Sequence, residues 1–106
     1  MAPLVRRDAE ARDAVRLVAN DIFEVWLIGW PSHHSTTRHD HGRSLGIVLV
    51  LDGELHETTN FAMKRLGPGE VTVIAPGAVH DVGTTESTAL SLHLYSPPLT
   101  EMNFYA

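Results

Sequence analysis

Closely spaced histidines are the residues of this chain best suited to chemistry. His39 and His41 stand two positions apart in the stretch "TTRHDHGRS". On a β-strand this spacing places both side chains on one face, about 7 Å apart at the backbone, and an imidazole nitrogen binds a metal ion from about 2.1 Å. Both rings can therefore bind one ion. Because a polar loop that carries two histidines by chance would show the same pattern, a metal site requires a third ligand.

His80, in "APGAVHDV", is the residue that we expect to complete such a site. A histidine after a Pro-Gly turn is, taken alone, more often a surface or capping residue than a ligand. Two β-segments that converge inside a barrel would nevertheless bring three imidazoles to one ion, and such a set suits Fe(II) as well as Zn, Ni, Cu or Mn. The chain has no cysteine, so thiolate ligands are excluded. The histidines that we expect in solvated positions are His33, His34 and His56.

The stretch "ALSLHLYSPP" carries a second group of polar residues. With a period of two, Ser91, His93 and Tyr95 share one face of a strand, and Leu92 and Leu94 point the other way. A half-buried strand with its polar face in water would show this alternation. A hydroxyl, an imidazole and a phenol in a row could equally form a relay, in which each group fixes the proton position of the next. In that relay Tyr95 would meet the ligand.

Short β-strands are what the sequence predicts around these residues. Runs such as "IFEVWLIGW", "LGIVLVL" and "EVTVIA" are rich in β-branched and aromatic residues, with Gly, Pro, Asn and Asp between them. "LDGEL" predicts a β-hairpin at Asp52 and Gly53, and "LGPGEV" predicts a second tight turn. Repeated short strands in a small chain favour an all-β fold, a compact barrel or jelly roll, whose interior would receive the side chains described above.

The N-terminal region differs from the rest of the chain in composition. Residues 8–19, "DAEARDAVRLVA", contain good helix formers, and Asp8 is available as a cap. The sequence therefore predicts a short N-terminal helix within a helical segment over 1–21, followed by the β-barrel over 22–106. A chain of 106 residues has room for one domain, so we assign both parts to a single domain.

Composition and charge exclude several functional classes. The formal net charge is −5, without a basic patch of the kind that binds nucleic acid. No apolar run approaches the roughly 20 residues that cross a bilayer, and the first residues lack the apolar stretch of a secretory signal. We therefore expect a cytoplasmic protein with no nucleic-acid partner and no membrane association.

Three stretches, "RHDHG", "PGAVHDV" and above all "SLHLYSPP", resemble the thiol dioxygenases of the cysteine dioxygenase type. This family is a branch of the cupin superfamily, whose fold is a small double-stranded β-barrel, and the resemblance spans about 23–98. It implies a non-haem Fe(II) enzyme that converts a small thiol and O2 to a sulfinic acid, with cysteine as the first substrate to test. The metal ligands that it implies are His39, His41 and His80. The outer relay that it implies is Ser91, His93 and Tyr95.

The substrate site departs from the pattern of that family. Members that use cysteine bind its carboxylate through an arginine in a Tyr-x-Arg context, and the nearest candidate here is Arg16, with Ala14 in place of the tyrosine. We expect Arg16 and Tyr95 to bind substrate; the alternative is that Arg16 is a solvated residue of the N-terminal helix. Some animal members crosslink the relay tyrosine to a cysteine at about Gly46, a bond that this chain cannot form.

The chain is also short for the family. Fewer residues cover the mouth of the barrel, so the pocket is either more open or completed by a second subunit in a homodimer. The tail "EMNFYA" could form an edge strand or a dimer contact. The sequence is compatible with both arrangements.

Two other functions compete with a thiol dioxygenase. A metal-dependent cupin of another activity, such as an isomerase, a lyase or a tailoring oxidase, could keep the barrel and the histidines. A non-catalytic cupin could bind a small ligand without turnover. The complete Ser-His-Tyr set argues against the second of these, because a binding protein needs no proton-positioning relay beside a metal.

Overall fold

The computed structural model of the chain describes residues 4–60 and 62–105. Ten β-strands account for its regular structure, and the described residues contain no α-helix. Within that part of the chain, nothing forms a helix of the length and apolarity that would cross a bilayer. The strands are β1 (Asp13–Ala19), β2 (Glu24–Trp30), β3 (His39–Asp40), β4 (Leu45–Asp52), β5 (Leu55–Thr58), β6 (Met63–Leu66), β7 (Val71–Ile74), β8 (Asp81–Gly83), β9 (Ala89–Ser96) and β10 (Asn103–Phe104).

The strands pair antiparallel in a larger sheet of order β1-β2-β9-β4-β7, a smaller sheet of order β6-β5-β8, and the pair β10-β3. Buried positions alternate along β4 and β9, so one face of the larger sheet is turned inward. The core draws on both sheets, with Trp30, Val48, Val50 and Ile74 from the larger one and Leu55, Leu66 and Val82 from the smaller one. The prediction of an all-β barrel is confirmed.

The predicted N-terminal helix is wrong. Residues 13–19 form β1, which pairs with β2 along most of its length. Asp8 caps no helix and instead forms an exposed ion pair with Arg6. The helix formers in this segment carry only a weak local preference, and pairing with β2 adds a ladder of hydrogen bonds that a short isolated helix cannot match. The described part of the segment 1–21 therefore adds an edge strand to the larger sheet.

The hairpin predicted at Asp52 and Gly53 is also wrong, although the turn exists. Gly53 has a φ of 76°, and a Cβ at this position would lie 2.1 Å from the carbonyl oxygen of Thr88, so the position requires glycine. The strands on either side do not pair with each other, since β4 belongs to the larger sheet and β5 to the smaller one. Each of the two strands buries apolar side chains in the shared core, and the turn is a corner between the sheets.

Candidate metal centre

The three histidines singled out by their spacing lie together. His39 begins β3, His41 follows it, and His80 directly precedes β8. Two reciprocal backbone hydrogen bonds of 2.9 Å join His39 and His80, so the residue that leads into β8 is held against β3. One ring nitrogen of each histidine lies within 4.8 Å of the others, and all three residues are buried. The predicted convergence of two β-segments is observed.

The hydrogen bonds of these rings leave nitrogens available for a metal. His39 Nδ1 donates to the carbonyl of Thr37 at 2.8 Å, and His80 Nδ1 donates to Glu57 Oε2 at 2.9 Å. The Nε2 atoms of His39 and His41 are 3.1 Å apart, whereas His80 Nε2 has no hydrogen-bond partner among the described residues. A buried polar atom without a partner is costly, and a metal ion would satisfy it. The donor set therefore fits a metal ion bound by imidazoles.

The environment favours the form of the rings that binds metal. Burial, together with charge repulsion from the nearby His80 and His39, lowers the pKa of His41 to about 4. Burial is also the main reason why the pKa of His39 is lowered. Because metal ligation requires neutral imidazole, both residues are already in the required state at neutral pH.

Glu57 is a site residue that the sequence analysis missed. It lies on β5 and is buried; Oε1 accepts a hydrogen bond from Thr72 Oγ1 at 2.8 Å, and Oε2 accepts from His80. Burial raises the pKa of this carboxyl, but the hydrogen bonds from His80 and Thr72 outweigh it and the net pKa is lowered. The ionised carboxylate fixes the proton of His80 on Nδ1 and leaves Nε2 free. The sequence signal that could have found Glu57 is its position two residues after Leu55, which places both side chains on the inward face of one strand.

Ser91, His93 and Tyr95 form one hydrogen-bonded chain on the inner face of β9. Ser91 Oγ lies 2.8 Å from His93 Nε2, and His93 Nδ1 lies 3.3 Å from Tyr95 Oη. Trp30 Nε1, which can only donate, gives its hydrogen to Ser91 Oγ at 2.8 Å. The serine hydroxyl keeps its own hydrogen, so it can donate to His93 Nε2, and in that tautomer His93 Nδ1 donates to Tyr95. In that tautomer the phenol hydrogen of Tyr95 is free for a ligand. The ring centre of Tyr95 lies 5.0 Å from that of His41.

The relay is uncharged at neutral pH. Burial lowers the pKa of His93 to about 3 and raises the pKa of Tyr95 to about 12. Both residues are thus neutral, and they act through the orientation of their hydrogen bonds and not through charge. Trp30 extends the chain at its far end by donating to Ser91, a role that the sequence analysis did not assign.

The structure does not bring Arg16 to this site. Its side chain is half exposed on β1, with the guanidinium 5.8 Å from the ring centre of Trp26 and 3.9 Å from Glu24. Arg12 is present instead: it lines the cavity beside the three histidines and Tyr95, and its guanidinium lies 5.3 Å from the ring centre of Trp30. The sequence analysis did not consider this arginine, because the Tyr-x-Arg pattern of the family directed the search to Arg16.

The C-terminal tail closes one side of the cavity. β10 pairs with β3, so the tail forms the edge strand that was one of its two expected arrangements. Asp40 anchors it by accepting hydrogen bonds from Tyr105 and from Asn103 Nδ2, and the first of these is the main reason why the pKa of Asp40 falls to about 2. Met102 lines the cavity, whose volume is about 20 Å³.

Comparisons with known proteins bear on the family and the fold. The family model described as cysteine dioxygenase type I matches residues 3–73, which include His39 and His41 and end before His80. A protein with a double-stranded beta-helix domain from Klebsiella pneumoniae superposes with a TM-score of 0.83 at 15% identity, over 96% of this chain and 90% of its own. The polyketide cyclase RemF from Streptomyces resistomycificus gives 0.81 at 19%, over 100% of this chain and 87% of its own.

The DMSP lyase DddQ from Ruegeria pomeroyi also superposes, with a TM-score of 0.81 at 20% identity, over 90% of this chain and 52% of its own. At these identities the structural likeness shows the fold alone, which is the double-stranded β-barrel of cupins. The family match is a different kind of finding, because it covers more than half of the sequence and includes two of the three clustered histidines. The chain belongs to the cysteine dioxygenase type I family.

Proposed function

We propose that this chain is an Fe(II)-dependent thiol dioxygenase that oxidises a small thiol to its sulfinic acid. The reaction balances without an outside reductant, because a thiolate and one O2 contain all the atoms and electrons of a sulfinate. The observation that carries the proposal is the hydrogen-bonded chain Trp30-Ser91-His93-Tyr95, which ends at a phenol beside the three clustered imidazoles. Membership of the cysteine dioxygenase type I family supports it.

His39, His41 and His80 are the residues that would hold the iron. A bound Fe(II) would supply a binding site for the thiolate and the activation of O2. Three neutral ligands leave the positive charge of the ion available to an anionic substrate, and the carboxylate of Glu57 compensates that charge only from behind His80. Burial of all three ligands excludes bulk water from the reacting groups.

Arg12 and Tyr95 are the groups that we assign to the substrate. Both line the same cavity as the histidines, and a guanidinium can bind a carboxylate with two parallel hydrogen bonds. Tyr95 donates its free hydrogen to the same carboxylate and so fixes the direction from which the thiol approaches. Arg16 lies beside Trp26 and takes no part in this assignment.

The size of the cavity favours small thiols. Its volume of about 20 Å³ corresponds to little more than one water molecule, so a substrate has to displace part of the wall. Met102 is the flexible apolar residue of that wall and belongs to the tail. We therefore propose compact substrates such as cysteine, 3-mercaptopropionate or cysteamine.

A metal-dependent cupin of another activity is the second candidate. Two observations favour it: the family match ends at residue 73, before His80 and the relay, and the similar folds include a lyase and a cyclase. Thiol-dependent oxygen uptake distinguishes the two candidates, because only the dioxygenase consumes O2 with a thiol.

Oxygen consumption by the iron-loaded protein tests the proposal. The panel comprises cysteine, 3-mercaptopropionate, cysteamine and larger thiols, with the product identified by mass spectrometry and the zinc-loaded protein as control. We expect one sulfinate per O2 consumed with at least one small thiol, and no consumption by the zinc form. Iron binding without thiol-dependent oxygen uptake would refute the dioxygenase and favour the other metal-dependent activity.

A further inference from the structure

A second pocket shares one wall with the cavity of the metal centre. Its volume is about 320 Å³, against about 20 Å³ for the cavity that the three histidines line. We call the larger space the outer pocket and the smaller one the inner cavity. The residues that line the outer pocket are Ala11, Arg12, Ala14, Ile28 and His34. Among the described residues, Arg12 alone lines both spaces.

The outer pocket lies where the larger sheet meets the loop after β2. One wall comes from the larger sheet, in which Ala14 on β1 pairs with Ile28 on β2. The other wall carries His34, which is half-buried rather than in the solvated position expected from the sequence. Its backbone N–H donates to Thr84 Oγ1 at 3.2 Å, and its carbonyl accepts from the backbone N–H of Thr84 at 2.8 Å. Both walls are held by hydrogen-bonded backbone, so the pocket is preformed.

Arg12 stands at the boundary with an unpaired charge. Its guanidinium lies 5.3 Å from the ring centre of Trp30, and no carboxylate among the described residues forms an ion pair with it. Burial is the main reason why the pKa values of His34 and His93 are lowered, and the positive charge of Arg12 is the next cause for both. Because His34 lines the outer pocket and His93 the inner cavity, this charge acts on both spaces.

The tail restricts the inner cavity on another side. Leu99 N–H donates to Glu24 Oε2 at 2.6 Å. Tyr105 N–H donates to the carbonyl of Arg38 at 2.9 Å. The backbone is therefore held on both sides of Met102, which leaves its side chain as the movable part of that wall. The larger free space for a ligand of the inner cavity lies in the outer pocket.

We propose that the outer pocket is the second part of the substrate site and binds an apolar substituent of a thiol carboxylate whose carboxylate lies on Arg12. Ala11, Ala14 and Ile28 give the pocket an apolar lining, and one guanidinium at its boundary suits one carboxylate. The inference rests on the proposed function and narrows its substrate class. The part of the thiol beside the metal stays compact, whereas the group on the carbon next to the carboxylate extends outward.

The volume of the outer pocket admits a branched aliphatic group. An isobutyl group has four carbon atoms of about the size of a water molecule, roughly 30 Å³ each, or about 120 Å³ in total. Each fully buried CH2 group strengthens binding about fourfold. Because the outer pocket is open to solvent on one side, we count half of the isobutyl group as buried, which gives a gain of about 15-fold.

Calorimetry with the zinc-loaded protein tests the outer pocket without oxidation of the thiol. The probes are 3-mercaptopropionate and 2-isobutyl-3-mercaptopropionate, and the wild type should bind the second about 15-fold more tightly. Ala14→Phe fills the outer pocket from β1 and should remove this preference. The matched control is Ala19→Phe, at another exposed alanine of β1 that does not line the pocket, and it should keep the preference.

Circular dichroism shows whether each variant keeps the fold. If Ala14→Phe does not fold, Ala11→Phe decides, because Ala11 lines the same pocket but precedes β1. A wild type that binds both acids equally, or neither, would overturn the proposal, as would a folded pocket variant that keeps the full preference.

The proposed function can fail separately. A preference for the isobutyl thiol in the zinc form, without thiol-dependent oxygen uptake by the iron form, would refute the dioxygenase and keep the outer pocket as a binding site. Sulfinate formation by a protein that shows no such preference would keep the dioxygenase and overturn the pocket.

Discussion

Replacement of Glu57 by glutamine should weaken metal binding without disrupting the fold. The carboxylate accepts one hydrogen bond from His80 Nδ1 at 2.9 Å and one from Thr72 Oγ1 at 2.8 Å. A glutamine amide can turn its oxygen to His80 and its NH2 group to Thr72, whose hydroxyl can accept as well as donate. The shape of the site and the tautomer of His80 are then kept, while the negative charge and its 3.4 Å ion pair with Lys64 are lost.

The size of the effect follows from the kind of hydrogen bond that is replaced. A hydrogen bond to a charged partner contributes about 1.5–3 kcal/mol and a neutral one about 0.5–1.5 kcal/mol, so the midpoints differ by about 1.25 kcal/mol of support for His80 as a ligand. This corresponds to metal affinity about 10-fold weaker. Glu57→Ala also removes the constraint on the ring and should weaken binding by about 100-fold.

The assay is a competition titration of Co(II) or Zn(II) against a chelator of known affinity, at constant pH. Glu54→Gln is a matched control, because Glu54 accepts a hydrogen bond from His56 at 2.8 Å but neither residue belongs to the cluster. We expect the control to bind metal as wild type does. Equal affinities for wild type and Glu57→Gln would refute the idea that this carboxylate supports His80.

Three further predictions concern the relay, the substrate and pH. Tyr95→Phe should keep the iron content but lower turnover or uncouple oxygen consumption from sulfinate formation, as measured by the O2-to-product ratio. Arg12→Ala should raise KM for carboxylated thiols and leave KM for cysteamine unchanged, whereas Arg16→Ala should change neither, in steady-state kinetics with both thiols. The metal-free protein should lose stability as the pH falls below about 6.5, because His93 binds a proton in the unfolded chain but stays neutral in the folded one, where its pKa is about 3. For this residue the free energy of unfolding, measured by urea denaturation, should fall by about 1.4 kcal/mol per pH unit. A free energy of unfolding that is constant between pH 7 and 5 would contradict the prediction.

Local spacing was enough to predict the parts of the site that lie on single strands. A period of two places Ser91, His93 and Tyr95 on one face, and the structure gives them one chain of hydrogen bonds. The convergence of His39 and His80 needed one assumption more, that two β-segments meet inside a barrel, and the backbone pairing of these residues fulfils it.

Features that depend on pairing between distant segments were not predictable in this way. Local helix propensity over 13–19 was overridden by pairing with β2, and Arg12 was missed because the Tyr-x-Arg pattern pointed to Arg16. The turn at Gly53 was recognised from its sequence, but which sheet receives the next strand is decided by the shared core. Glu57 meets His80 only because β5 and β8 are neighbours.

X-ray absorption of the iron-loaded protein, before and after anaerobic addition of cysteine, tests most directly whether the three imidazoles form a thiol-binding iron site. Before addition we expect three imidazole nitrogens at about 2.1 Å, a set that is lost in His80→Ala. After addition a sulfur neighbour of the iron should appear. An iron spectrum that is unchanged by His80→Ala, or that gains no sulfur from any small thiol, would contradict the account.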